Sequence, residues 1–417
     1  MIFALHKVFN HFIYLVKLLL YICKMLKSLK YRLYPNNDQK DLLNKHFGCV
    51  RFVYNLALEC KTNAYSTHKV NLSRYDLQAQ LIELKKECEW LKEINSQSLQ
   101  FALLTLDIAY SNFFKRRAKF PNFKKKSNKQ SFHCPQSVII EKNRLYIPKF
   151  KAGIEIVLHR SINGMIRSAT ISKTPTGRYF VSILTDTGII IPIKKPINIK
   201  TAVGIDIGIK TFAVLSDGTE YENPKHLRNS LQRLKVLQRR VSRKIKGGSN
   251  RKNAVKNLAI LHEKVTNQRK DFLHKVTDAI TKQYDTICIE DLAVSNMVKN
   301  HKLALSITDA GWEMFGTFLK YKSEWRGKNV LEIGRFDPSS KLHNKCGYIN
   351  KELELKDREW TCPKCGKLVL RDANAASNIL DWGLLKYSGA ERSGVLLELP
   401  TLVGAMKEEK FIINSLN

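Results

Sequence analysis

Acidic residues are scarce for a chain of this size: 37 Asp and Glu stand against 71 Lys and Arg in 417 residues, a formal net charge of +34. Such a surplus repels itself unless an anionic partner neutralises it. Nucleic acids are the natural partners, because their phosphates release counterions when basic side chains bind. An enzyme acting on small neutral metabolites is disfavoured. Most of the cysteines also lack a near neighbour in sequence. The count of nine is odd, and Cys23, Cys49, Cys60, Cys88, Cys134 and Cys288 stand singly. That is not a disulfide framework, and it points to a reducing compartment. Tandem repeats are absent, as are a P-loop and a second glycine-rich phosphate hairpin. The segment GIDIG is therefore a poor match to the opening of an actin-like or sugar-kinase ATPase. Long uncharged apolar runs are absent too. The apolar opening, residues 1–24, is interrupted by Lys7 and Lys17, with His6, Asn10 and His11 inside it. It falls short of the roughly 18 residues a spanning helix needs, and no small-residue cleavage site follows. The expectation is a leader from a mis-assigned start, with Met25 the true one; a peripheral amphipathic anchor is the other reading. No membrane partner is expected.

Hydrophobic residues, at 44%, suffice for real cores, and the length suggests two or three domains. Residues 26–34 alternate and end at Pro35, which reads as a strand. Residues 38–114 repeat apolar positions at three and four, predicting three helices, with Ser96 and Ser98 as caps for the third. From about 132 to 196, short β-branched runs punctuated by turns predict a small barrel or sandwich that the early strand could join. Residues 197–200 read as a linker. AVGIDIG, TFAVLSDG and TEYENP then read as three consecutive strands, with Ser216-Asp217-Gly218 as a turn. A basic helical stretch follows over 225–283, broken near Gly247, Gly248 and Ser249. Strands at DTICIEDL and NVLEIGRF flank a helix around Trp312 and Trp325, and a last helix begins near Asp372.

Three carboxylates sit where a carboxylate is expensive. Asp206 lies between Ile205 and Ile207, Glu290 ends the apolar run ICIE, and Asp372 opens the Ala-rich RDANAASNIL. A buried carboxylate pairs, caps a turn or binds a cation. Taken singly, each is equally a strand-end residue or, for Asp372, a helix N-cap. Together they could converge on one rim of a sheet. Carboxylates bridging two divalent cations there would serve phosphodiester hydrolysis, activating water and stabilising the leaving oxygen. Hard oxygen donors favour Mg2+ or Mn2+ over zinc.

A second metal pattern lies downstream. His343 and Cys346 form an H-x2-C pair, Cys362 and Cys365 a C-x2-C pair, and 15 residues separate Cys346 from Cys362. Gly347 and Gly366 follow the knuckles, as in zinc ribbons. Four ligands with no open position predict a structural zinc.

Residues 225–275 hold sixteen Lys and Arg against only Glu263 and Asp271. That imbalance is too one-sided for pairing along a helix, so a helical hairpin tracking a phosphate backbone is expected. Its candidate contacts are Arg233, Arg239, Arg240, Arg243, Lys244, Arg251 and Lys252. In FFKRRAKFPNFKKKSNK, Phe113, Phe114, Phe120 and Phe123 interleave with Lys115, Arg116, Arg117, Lys124, Lys125 and Lys126. Aromatics among bases suit stacking and phosphate contact.

GIDIGIKTFAVLSDG, ICIEDLAVSNM, FDPSSK, the knuckle with KELELKDREWTCPKCG, and RDANAASNI together resemble the TnpB (OrfB) proteins of insertion sequences. The resemblance runs from about Met25 to Leu399 and includes FKRRAKFPNFKKK. It implies a multidomain α+β chain: an RNase H-like, RuvC-type mixed α/β nuclease domain at 200–342 and 366–390, interrupted by a zinc ribbon at 343–365. It also implies a β-barrel wedge domain at 25–35 and 130–196, a helical recognition lobe at 36–129 inserted in it, and a tail at 391–417. The implied activity is RNA-guided cutting of DNA beside a short target-adjacent motif. The implied guide is an RNA from the transposon end, and the implied setting is the cytoplasm of a prokaryotic-type cell, at the nucleoid. The implied catalytic acids are Asp206, Glu290 and Asp372, and the implied zinc ligands are His343, Cys346, Cys362 and Cys365. The family usually has Cys where His343 stands. Two other readings are a transposase that transfers strands with the same three acids and a catalytically silent nucleic-acid-binding protein.

Overall fold

A computed structural model describes residues 24–387 apart from 128, 336, 338 and 355. Residues 1–23 of the expected leader and the whole expected tail lie outside the described residues. The chain divides into two compact units, one ending at Ile190 and the other starting at Ile191.

Among the described residues, the first unit begins with β1 (Lys24–Tyr34) and three α-helices, α1 (Asn37–His68), α2 (Arg74–Glu87) and α3 (Ser96–Phe114). The strands β2 (Gln130–Cys134), β3 (Ile139–Glu141), β4 (Arg144–Tyr146), β5 (Ile154–Val157), β6 (Met165–Lys173) and β7 (Tyr179–Ile190) follow. They form one antiparallel sheet in the order β2-β6-β7-β1-β5-β4-β3. The first strand thus lies mid-sheet, with Tyr31 opposite Val181 and Leu33 opposite Tyr179, and its buried Tyr31 and Leu33 enter the common core. The discontinuous sheet expected from the sequence is present. Its ladder is open: among the described residues no pairing joins β2 to β3, so hydrogen bonds do not close the expected barrel. The caps also differ from expectation. Asn95, and neither Ser96 nor Ser98, caps α3 by accepting from Gln97 N–H at 3.1 Å. Ser98 is buried and donates instead to the His133 carbonyl at 2.7 Å.

The second unit contains β8 (Ala202–Ile207), β9 (Thr211–Leu215), β10 (Glu220–Glu222), α4 (His226–Ser242), α5 (Ser249–Gln283) and β11 (Thr286–Glu290). Then come α6 (Val294–Met297), α7 (His301–Ala310), α8 (Trp312–Trp325), β12 (Asn329–Ile333), β13 (Glu359–Thr361), β14 (Leu368–Leu370) and α9 (Arg371–Tyr387). The main sheet runs β10-β9-β8-β11-β12. Its first three strands form the expected meander, turned at Gly218 with φ +90°, and β11 and β12 run parallel to β8. Strand residues alternate between faces. Val203, Ile205, Ile287 and Ile289 pack with Leu273, Ile280, Phe315 and Leu319 of α5 and α8. Cys288 packs with Ile379 of α9 on the opposite face. The sheet is sandwiched between two helical layers, a mixed α/β arrangement. Gly247, at φ +88°, lies in the break between α4 and α5, and the two helices pair as a hairpin.

Candidate functional site

The register of the parallel strands brings the first two acids together. Thr286 pairs with Ala202 and Ile289 with Ile205, so the next step puts Glu290 beside Asp206 on one face. The third arrives on α9, which lies directly on that face. A Cβ at Gly204 would collide with the Ala376 carbonyl oxygen, and one at Gly383 would stand 2.5 Å from Cys288 Sγ. Only glycine allows this approach. Asp372 is four residues before Ala376 on the helix, and Asp206 is two residues beyond Gly204 on the strand. The start of α9 thus lies by the end of β8, close enough for the Asp372 charge to act on the Asp206 carboxyl.

The electrostatics agree with that placement. Burial first, then the Glu290 and Asp372 carboxylates, push the Asp206 carboxyl up to about 7, against the opposing pull of Arg371 and Arg358. Arg358 reaches Asp372 at 3.4 Å, and the Ser339 hydroxyl donates to Glu290 Oε1 at 2.5 Å. A cleft of about 460 Å³ opens beside Glu290, with Asp291, Trp312, Lys320 and Arg335 in its walls. A carboxyl held protonated beside two further carboxylates has the chemistry a divalent cation takes up.

The knuckle gathers its four predicted donors. His343 Nδ1 and the sulfurs of Cys346, Cys362 and Cys365 all lie within 4.8 Å of one another. His343 Nδ1 is 3.0 Å from Cys346 Sγ and 3.5 Å from Cys365 Sγ, and Cys346 and Cys362 are 3.4 Å apart. Zinc–sulfur and zinc–nitrogen bonds of about 2.3 and 2.0 Å span a donor set of this size. Gly347 and Gly366 turn the two knuckles at φ +72° and +68°, donating to the His343 and Cys362 carbonyls. Burial, then Lys345 and Lys367, hold the His343 imidazole below its usual range, in the neutral form that ligates metal. These residues fit one tetrahedral ion.

Over 365 residues the chain is 41% identical to a Streptomyces pristinaespiralis protein named as a candidate RNA-guided DNA endonuclease, covering 86% of this chain and 89% of the relative. The chain belongs to the TnpB (OrfB) family. An Escherichia coli (strain K12) member, also named as a candidate RNA-guided DNA endonuclease, is 34% identical over 379 residues, 86% of this chain and 93% of that one. Residues 182–301 match the IS605-type OrfB family described as "Probable transposase". Residues 25–69 match that family's helix-turn-helix domain and 312–379 a Cas12f1-like TNB domain. In this TnpB-family chain the first of those stretches is β1 followed by the single long helix α1.

The basic candidates divide. Lys115, Arg116, Arg117, Lys125 and Lys126 are exposed, as is Phe114 at 71%. Lys124 turns inward: its ammonium lies 3.8 Å from the Tyr54 ring centroid, and its backbone is held by Asn55. On the hairpin, Arg233, Arg239, Arg240, Arg243, Lys244 and Lys252 are exposed. Arg251 instead donates to the Val241 and Lys244 carbonyls at 2.8 and 3.0 Å, tying off the end of α4. Sequence reasoning missed Ser339, Arg358, Asn374 and Asn378. The signal for the last two was present: amides four apart in an otherwise Ala-rich segment share one helix face.

Proposed function

We propose that this protein is an RNA-guided, divalent-metal-dependent DNA endonuclease encoded by an insertion sequence. Its main sheet would serve as a RuvC-type nuclease core. The observation that carries the reading is the meeting of Asp206, Glu290 and Asp372 at one end of the sheet, where burial and then the Glu290 and Asp372 charges raise the Asp206 pKa. The names of the relatives supply the RNA guide and the DNA target. Asp206, Glu290 and Asp372 would hold Mg2+ or Mn2+. Bound there, the cations would supply an activated water and charge stabilisation at the leaving oxygen. Ser339 orients Glu290, and Arg358 offsets charge at Asp372. The exposed bases of the α4–α5 hairpin, and those around Phe114, take up guide and target phosphates. His343, Cys346, Cys362 and Cys365 would hold one structural zinc, and the guide would derive from the transposon end.

The test is to purify the protein, sequence any RNA that accompanies it, and incubate the complex with DNA matching that RNA. A defined transposon-end RNA and cleavage in Mg2+ are expected, with binding but no cutting in Ca2+, whose looser coordination suits two-metal geometry poorly. Joined strand-transfer products would identify a transposase instead. Guided binding without cutting in Mg2+ or Mn2+ would identify a silent binding protein.

A further inference from the structure

Between the acids and the knuckle runs a set of buried amides that neither metal site uses. Asn374 and Asn378 lie one turn apart on α9 and are 8% and 2% exposed. Buried amides require partners, and theirs are on the knuckle segment. Asn374 Nδ2 donates to the Leu342 carbonyl at 2.6 Å, and its Oδ1 accepts from the Asn344 N–H at 2.8 Å. Asn378 Nδ2 donates to the same Leu342 carbonyl at 2.7 Å and to the Ser339 carbonyl at 2.6 Å. Its Oδ1 accepts from Asn344 Nδ2 at 3.1 Å. Leu342 and Asn344 flank the ligand His343. Ser339, held at its carbonyl by Asn378, sends its hydroxyl to Glu290 Oε1 at 2.5 Å. A continuous line of hydrogen bonds therefore joins the peptide around His343 to one carboxylate of the acidic triad.

We propose that Ser339, Asn374 and Asn378 are positioning residues that couple the zinc knuckle to Glu290. The inference rests on the metal-dependent reading above. An apolar helix face would hold residues 339–344 by packing alone and tolerate sliding. Two amides with four directed bonds to three backbone groups accept one register. That register sets Ser339, and the Ser339 hydroxyl then fixes the plane of the Glu290 carboxylate. Removing groups that orient a metal ligand typically costs about 10–100-fold in metal affinity or activity.

The test uses the full-length protein with two readouts that do not need cleavage: Mn2+ affinity by electron paramagnetic resonance and the rate of zinc release into a colorimetric chelator. The Mg2+ midpoint for cleavage is read alongside. Ser339→Ala should weaken Mn2+ binding about tenfold and raise the Mg2+ midpoint similarly, with zinc release as in wild type. Ser339→Thr, which keeps the hydroxyl, should restore both. Asn378→Ala should weaken Mn2+ binding and also speed zinc release. Asn344→Ala breaks the line from the knuckle side, should do the same to a smaller degree, and stands in if Asn378→Ala does not fold. Unchanged Mn2+ affinity in Ser339→Ala, or unchanged zinc release in the asparagine variants, overturns the coupling. A wild type that binds both metals but cuts no DNA overturns the nuclease reading and leaves the coupling measurable on Mn2+. A wild type that binds no Mn2+ overturns both.

Discussion

Asp206 is held where a carboxylate resists ionisation, and this has a sign. With its pKa pushed up to about 7, the folded metal-free protein keeps a proton between about pH 4 and 7 that the unfolded chain gives up. The folded state binds more protons in that window, so its stability falls as pH rises through it, by roughly 2–4 kcal/mol. Thermal melts of metal-free wild type should show the decline, and Asp206→Asn should lack it. Parallel melting curves for the two would mean that neither burial nor the neighbouring Glu290 and Asp372 holds a proton on Asp206. Added Mg2+ at pH 8 should raise the wild-type Tm and barely move that of the variant. On the proposed reading, each of Asp206→Ala, Glu290→Ala and Asp372→Ala should abolish cleavage and leave bound RNA nearly intact, because it would remove a metal ligand and leave the basic surfaces untouched. Equal loss of RNA on purification would contradict that division of labour. At the knuckle, His343→Cys should keep about one zinc per chain by mass spectrometry, and His343→Ala should lower it. The meeting of the three acids and the His/Cys cluster were legible because charge inside an apolar run and thiols at fixed spacing are rare without a reason. Lys124 and Arg251, expected to contact phosphate, are engaged within the protein, and sequence does not separate a cation facing solvent from one spent on a ring face or a helix end.

Among the elements, α9 does the most to assemble the site, and it does so through absent side chains. Gly204→Ala would drive a methyl into the Ala376 carbonyl. The helix would have to lift, at about 1–3 kcal/mol for overpacking, carrying Asp372 away from Asp206. Cleavage should fall far more than melting temperature or zinc content; full activity in Gly204→Ala would show that the helix has room to spare. The meander and its turn, the break between α4 and α5, and the strand of Glu290 were all legible, because period-two apolar runs bounded by glycine leave few alternatives. The helices α6 and α7 were not. They lie between a strand end and Trp312, in a stretch of mixed polarity. Their order comes from tertiary contacts: Asp309, at the end of α7, accepts the Leu227 and Arg228 N–H groups at the start of α4 and pairs with Arg269 of α5. The cap of α4 is thus supplied by a residue some eighty positions away, a pairing that local pattern does not encode. Asn95 was missed as a cap for a smaller reason, since Asn-Ser-Gln-Ser offers three capping residues within four positions.

The molecule as a whole carries +34, and its nucleic-acid affinity should fall steeply with salt. Reversing Arg233, Arg239, Arg240, Arg243 and Lys244 together should flatten the log–log salt slope by about 0.7–0.9 for each phosphate contact removed. An unchanged slope would mean that the hairpin faces solvent. Reversing Lys124 or Arg251 should instead lower stability, because both are already engaged within the protein. The first unit bears on how the chain is made. Its opening strand is hydrogen-bonded on both sides, to β5 and β7, yet the residue opposite Leu33 is Tyr179. On the ribosome, β1 therefore emerges long before its main partner, while α1 to α3 can pack on one another. Until the codons for β7 have been read, β1 has unsatisfied edges, the condition that invites pairing with a neighbouring chain. Translation that stops short of Ile190 leaves a fragment with a helical core and no finished sheet, a substrate for proteolysis and not a smaller version of the protein.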